Sequence, residues 1–311
     1  MRRLRWMWLL LPLLAAVPAE AGWVWSPRDG WRKDGGSTQT PAELNTEADK
    51  AFQAKRYREA ARGYRMVLER KPPGPLAGSA RLQLLESQFL GRDMEAAHKT
   101  VREILRGNPD AATISRVLQR KYEIGVAFLT GAPRKFLGFS VSAESRGIEI
   151  LDSLVEQYPF QAFSDDALFH IGGHYMKKRQ HEEAEVVYER LIRDYPLSEW
   201  AGIAEYQIGE AALRRLKGVE YDFTLVKKAE KHFRRYLRLF PGGDRAAAAR
   251  LSLERIGEMR AARLLGIAEF YLRLDREKAA RIYLQRLLQN HPGVPAAKRA
   301  QAILKRIGGE G

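Results

Sequence analysis

Six times along the chain a small residue stands twelve positions ahead of a proline: Ala60 and Pro72, Ala97 and Pro109, Gly147 and Pro159, Ala184 and Pro196, Ala229 and Pro241, and Ala280 and Pro292. Apolar residues follow each small residue by four and seven positions, as Tyr64 and Val67, Val101 and Ile104, Leu151 and Leu154, Tyr188 and Leu191, Phe233 and Tyr236, and Leu284 and Leu287. Those offsets share one face of a helix, and proline cannot continue a helix, so the pattern predicts six amphipathic helices, each closed by its proline. A second pattern lies ahead of these helices. Ile124-Gly125 with Phe128, Leu168 and Ile171-Gly172 with Tyr175, Ile208-Gly209 with Ala212, and Leu264 and Ile267-Ala268 with Tyr271 place a small residue beside apolar and aromatic ones. The small residue lets two helices cross closely, and the aromatic fills the space beside the crossing.

Paired helices of this kind resemble the tetratricopeptide repeat, a helix-turn-helix unit of about 34 residues with the same small, aromatic and proline positions. The expected fold is all-α: a right-handed superhelical solenoid of about six repeats over residues 42–292, because one repeat cannot bury its apolar face alone. Ala296 to Ile307 supplies an amphipathic capping helix, and the solenoid domain is assigned to 42–311. The prolines are spaced 37, 50, 37, 45 and 51 residues apart, so the third, fifth and sixth repeats carry added material. Gly131 to Ser142 lengthens the turn inside the third repeat and Lys217 to Thr224 does so in the fifth; Asp244 to Leu274 forms one long helix or two that abut near Gly257. Such insertions serve as partner-binding loops or are tolerated surface additions.

The N-terminus reads as an address. Arg2, Arg3 and Arg5 precede an apolar stretch from Trp6 to Val17, and Ala19-Glu20-Ala21 is a small-x-small site, the order of a secretory leader cleaved after Ala21. The apolar stretch reaches about 18 Å as a helix against a hydrocarbon core of about 30 Å, too short for a permanent span. Residues 22–41, rich in glycine and carrying Pro27 and Pro41, are expected to form a flexible linker without a packed element. Trp23, Trp25 and Trp31 lie in it and are expected to fold back on the domain, dock on a partner or membrane interface, or stay exposed. The 311 residues include no cysteine, which excludes disulfides, thiolate metal sites and acylation of an N-terminal cysteine; the expectation is an exported periplasmic protein, peripheral at the outer membrane and not a lipoprotein.

Lys and Arg number 53 against 38 Asp and Glu, a net charge of +15. The basic residues are scattered over helical segments without a nucleic-acid reader motif, so no nucleic-acid partner is expected. For an exported protein the anionic partners are lipid head groups at a membrane surface or acidic protein segments, or the charge is simply a soluble surface.

Candidate chemistry is sparse. His170 and His174 have metal-ligand spacing, but Ile171 stands where a zincin carries its general-base glutamate, and they flank the packing residues Ile171-Gly172. With no Walker loop, dinucleotide fingerprint or nucleophile elbow, the expectation is no metal, no cofactor and no catalysis.

A family resemblance emerges in the second half. "YPLSEWAGIAEYQIGEA", "KKAEKHFRRYLRLFP" and "AEFYLRLDREKAARIYLQRLLQNHPGVPAA" make the stretch from about Phe163 to Leu304 resemble the BamD family of outer-membrane assembly factors and the related exported tetratricopeptide proteins, the Tol–Pal coordinator among them. The resemblance implies a non-catalytic envelope scaffold in outer-membrane β-barrel assembly, with a BamA-type barrel or unfolded outer-membrane proteins as partners. The alternative it implies is an exported adaptor in peptidoglycan or Tol–Pal organisation.

In tetratricopeptide repeats the concave face is lined by first-helix positions three before, one after and four after the small packing residue. Counted from Gly125, Gly172 and Gly209, these include Tyr122, Leu129, Phe169, Met176, Tyr206 and Leu213, with Lys177 and Arg214 one step on. Aromatic and Met side chains beside cations suit a peptide with apolar anchors and carboxylates; the alternative is that Tyr122 and Phe169 pack between repeats. The expectation is that Phe169→Ala with Tyr206→Ala weakens partner capture while leaving melting nearly intact.

Overall fold

The computed structural model describes the backbone of residues 23–26 and 30–33 and the chain over 39–131, 142–216 and 223–308. These residues form two compact bodies, one within 1–84 and one within 85–311. The expected leader, the loop inserted after Gly131 up to 141 and the insertion at 217–222 lie outside the described residues.

In the first body, β1 (Trp23–Ser26) and β2 (Gly30–Lys33) pair antiparallel with Trp25 opposite Trp31. This differs from the expected linker without a packed element. The glycine and proline content pointed to turns, but Trp-Val-Trp and Trp31 have high strand propensity and supply the paired segments. Helices α1 (Pro41–Gln53) and α2 (Tyr57–Glu69) follow, then α3 (Gly74–Leu90), which runs on into the second body. Thr40 and Glu43 form a reciprocal capping box that satisfies donors at the start of α1. Leu44, Ala48, Tyr64, Val67 and Leu84 make the local core, and the Tyr64 hydroxyl donates to Asp49 at 2.6 Å.

The second body continues with α4 (Met94–Arg106), α5 (Ala111–Leu129), α6 (Ala143–Gln157), α7 (Ser164–Lys177), α8 (His181–Asp194), α9 (Trp200–Arg214), α10 (Phe223–Leu239), α11 (Ala246–Arg273), α12 (Glu277–Asn290) and α13 (Pro295–Gly308). Asp93, Asp110 and Ser142 cap α4, α5 and α6 by accepting from backbone N–H groups three residues on. The molecule is thus an all-α repeat of the α-solenoid class with one added hairpin among the described residues. Each predicted second helix is present, as α2, α4, α6, α8, α10 and α12, and ends two or three residues before its proline. Every small residue and its apolar partners at four and seven positions are buried. The segment before α12 is one continuous 28-residue helix, not two. Its N-terminal part packs Ala246, Ala249 and Ile256 with α10 residues, while Ala261, Leu265 and Ala268 join the core of α12 and α13.

The close crossings rest on glycine. A Cβ at Gly172 would lie 2.7 Å from the Tyr188 ring, and one at Gly209 would lie 2.8 Å from the Phe233 ring. Gly172→Val is therefore expected to push α7 off α8 at an overpacking cost of about 1–3 kcal/mol, whereas His170→Ala with His174→Ala should cost little; thermal melting of both variants checks this.

A buried histidine makes stability depend on pH. His98 Nδ1 lies 3.2 Å from Arg146 Nη2, and burial, then Arg146, Arg102 and Lys121, hold its pKa down at about 3. An unfolded histidine titrates near about 6.5, so as pH falls from there toward 3 the unfolded chain takes up a proton that the folded chain refuses. Stability is full above that window and is lost within it. His98→Gln should flatten the loss between pH 6.5 and 4 in urea titrations; an unchanged slope would remove His98 as the source.

Candidate peptide-binding face

The expected binding residues fall on the first helices α5, α7 and α9, with α7 packed beside both of the others. Tyr122 on α5 is half-buried, and its ring stacks on Phe163 at 5.5 Å between centroids and lies 6.0 Å from the His170 ring. Phe169 on α7, also half-buried, stacks on Trp200 at 4.2 Å and 13°. The Trp200 indole N–H donates to Asp166, one turn before His170. Tyr122 and Phe169 thus bridge successive repeats through Phe163 and Trp200, and each keeps part of its ring in solvent.

Phe163 and Trp200 were missed as site residues in the sequence. Each stands four positions after a repeat-ending proline, Pro159 or Pro196, so equal spacing was the available signal. The remaining expected residues divide by exposure. Met176 is half-buried against the central core, with Lys177 exposed beside it. Leu129 and Leu213 pack partly buried against core clusters, and Arg214 is exposed and pairs with Glu210 at 3.4 Å. Tyr206 requires correction: it is 9% exposed, packed edge-on to Phe233 and Tyr236, and so belongs to the core. Its truncation is expected to destabilise the repeat, so Phe169→Ala with Tyr206→Ala should lower melting as well as partner capture.

The electrostatics of the face are mixed. Asp165 and Asp166 sit in the first turn of α7, where the helix dipole favours negative charge, and His174 and Lys177 sit in its last turn. Burial, with help from Asp166 and Asp165, pushes the Tyr122 hydroxyl up to about 12, and burial lowers His170 and His174. His170 lies against Tyr122 and Phe169, while His174 lies against Tyr175. Among the described residues no three His, Asp or Glu side chains are grouped to hold a metal ion, and no helix is long and apolar enough to cross a membrane. What the face offers is a row of part-open aromatic rings and Met176, flanked by carboxylates at one end of α7 and by cations at the other. That chemistry suits a peptide with apolar anchors.

The crystal structure of PilW, described as a widely conserved type IV pilus biogenesis factor, is 16% identical, covers 85% of this chain and 98% of its own, and gives a TM-score of 0.32. The C-terminal part of a repeat-containing protein from Cytophaga hutchinsonii is 13% identical over 85% of this chain and 88% of its own, with a TM-score of 0.40. A tetratricopeptide repeat protein from Parabacteroides merdae is 12% identical over 85% and 97%, with a TM-score of 0.36. No curated protein matches the sequence significantly. The family model described as "YfiO: Outer membrane lipoprotein" matches residues 141–307, α6 through α13 and the segments between them. With more than half its length matched, this BamD-like tetratricopeptide chain belongs to the YfiO outer membrane lipoprotein family.

Proposed function

We propose that the chain is a non-catalytic scaffold of the bacterial envelope that captures protein segments on the α5–α7–α9 face during assembly of outer-membrane β-barrel proteins. Its partners are a BamA-type barrel or unfolded outer-membrane proteins. Residues 1–21 act as an export leader, 22–41 join it to the repeats, and 42–311 form the scaffold. The observation that carries this reading is the pair of part-open stacks, Tyr122 on Phe163 and Phe169 on Trp200, within a chain whose family is described by its outer-membrane location. Aromatic anchors fixed by their neighbours give up little conformational entropy on binding. The family is described as an outer membrane lipoprotein family, and the net charge of +15 lets the basic surface of this chain contact anionic head groups at the membrane. A second reading of the same repeat scaffold is a periplasmic adaptor in peptidoglycan or Tol–Pal organisation.

Met176→Gln with Lys177→Glu alters the last turn of α7, where Met176 is half-buried and Lys177 exposed, without burying a charge. The variant is expected to reduce recovery of barrel components in crosslinked pull-downs from membranes by about tenfold, with melting nearly unchanged, since losing an apolar anchor and reversing a charge is worth about 1.4 kcal/mol or more. Unchanged recovery would move the binding surface elsewhere. Recovery of cell-wall or Tol–Pal components in place of a barrel would favour the adaptor.

A further inference from the structure

Two loops of the second body hold large apolar side chains out in solvent at equivalent places in successive repeats. Phe160 follows Pro159 between α6 and α7 and is 96% exposed; Leu197 follows Pro196 between α8 and α9 and is 99% exposed. Neither loop is slack. The Tyr195 hydroxyl donates to the Pro159 carbonyl at 2.8 Å, tying one loop to the other. Within the loops, the Ser164 hydroxyl donates to the Tyr158 carbonyl at 3.0 Å, and the Ser198 N–H donates to the Tyr195 carbonyl at 3.1 Å. A free loop would fold its apolar residue onto the nearest core; these hydrogen bonds keep both outward. A cavity of about 830 Å³ lies beside them, with Phe160 and Leu197 in its lining.

The charges around the cavity indicate what would occupy it. Glu156, Asp165 and Asp194 line it, with Arg190 as the cation. Arg190 is already engaged by Asp152 at 2.6 Å and by Asp194 at 3.5 Å. Among the described residues, Glu156 and Asp165 are in no ion pair. The patch is therefore apolar and acidic on a chain whose net charge is +15. Anionic lipid head groups would be repelled here, so the two tips are poorly suited to dip into such a membrane. A protein segment with an apolar side chain between lysines or arginines would complement the tips and the carboxylates of Glu156 and Asp165, the latter accepting from the Asp166 N–H at 3.0 Å.

We propose that Phe160 and Leu197, with Glu156 and Asp165, form a second docking platform, built on different apolar anchors from the α5–α7–α9 face and meeting it at Asp165, for a segment of another protein that carries an apolar anchor flanked by basic residues. The test places the photo-crosslinking residue p-benzoylphenylalanine at position 160 or 197 of the full chain, irradiates freshly lysed cells that make it, and sequences the attached peptide. Both positions are expected to label the same segment of one other protein, with an apolar residue between Lys or Arg side chains. Glu156→Gln with Asp165→Asn should lower the yield about fivefold, as should raising salt to about 1 M with the native carboxylates in place. Adducts only with lipid, only with a second copy of this chain, or with a segment lacking cations would overturn the proposal. So would no adduct from either position, or a yield indifferent to both the charge change and salt. A parallel crosslinker at position 176 reports on the α7 face, so failure of one surface is distinguishable from failure of the other.

Discussion

Replacing Glu205 with alanine is expected to lower the unfolding free energy by about 3–5 kcal/mol, toward the lower end because one partner is half in solvent. Glu205 sits on α9 at 1% exposure, with Oε2 2.6 Å from His232 Nδ1 and Oε1 2.9 Å from Arg235 Nε, both on α10. The carboxylate joins the two helices of the fifth repeat at a position that the fourth repeat fills with Leu168, and its loss would leave the buried His232 without its acceptor. Glu205→Leu, which refills the volume but not the charge, should fall between native and Glu205→Ala. Urea unfolding measures the three proteins, and a loss below about 1 kcal/mol in Glu205→Ala would mean that the pair is a bystander to packing.

Tyr188→Ala should cost a comparable amount, about 3–5 kcal/mol, because it empties a fully buried ring site between α7 and α8. Tyr188→Phe keeps the ring and should cost far less. The pairing with Gly172 makes a sharper check. Since a Cβ at Gly172 would strike the Tyr188 ring, Gly172→Val should be less harmful in the Tyr188→Ala background than alone. Additive losses would show that the two residues do not share one space.

These sites show what the sequence made legible. The second helices were readable because two local facts, a small residue and a proline twelve positions later, report both the crossing and the end of each helix. The glycines of the first helices located α5, α7 and α9 for the same reason. Exposure was not readable. Tyr122, Phe169 and Tyr206 stand at one offset from their glycines, yet only Tyr206 is buried; beside it α10 carries Tyr236, edge-on at 5.9 Å, where α6 and α8 carry Leu154 and Leu191. The Phe163 and Trp200 stacks depend on where the chain turns after each proline, which helical periodicity does not encode. Glu205 was hidden because its offset holds Lys121, Leu168 and Glu205 in successive repeats, a chemical variety that only the neighbouring side chains explain.

The most direct test of the envelope-scaffold account is crosslinking from the α7 face itself. With p-benzoylphenylalanine at position 176 in the full chain, irradiation of native membranes should yield an adduct with a BamA-type barrel or with unfolded outer-membrane proteins, and Phe169→Ala in the same chain should weaken it. Adducts confined to cell-wall or Tol–Pal proteins, or no protein adduct from this face while the protein remains folded, would contradict it.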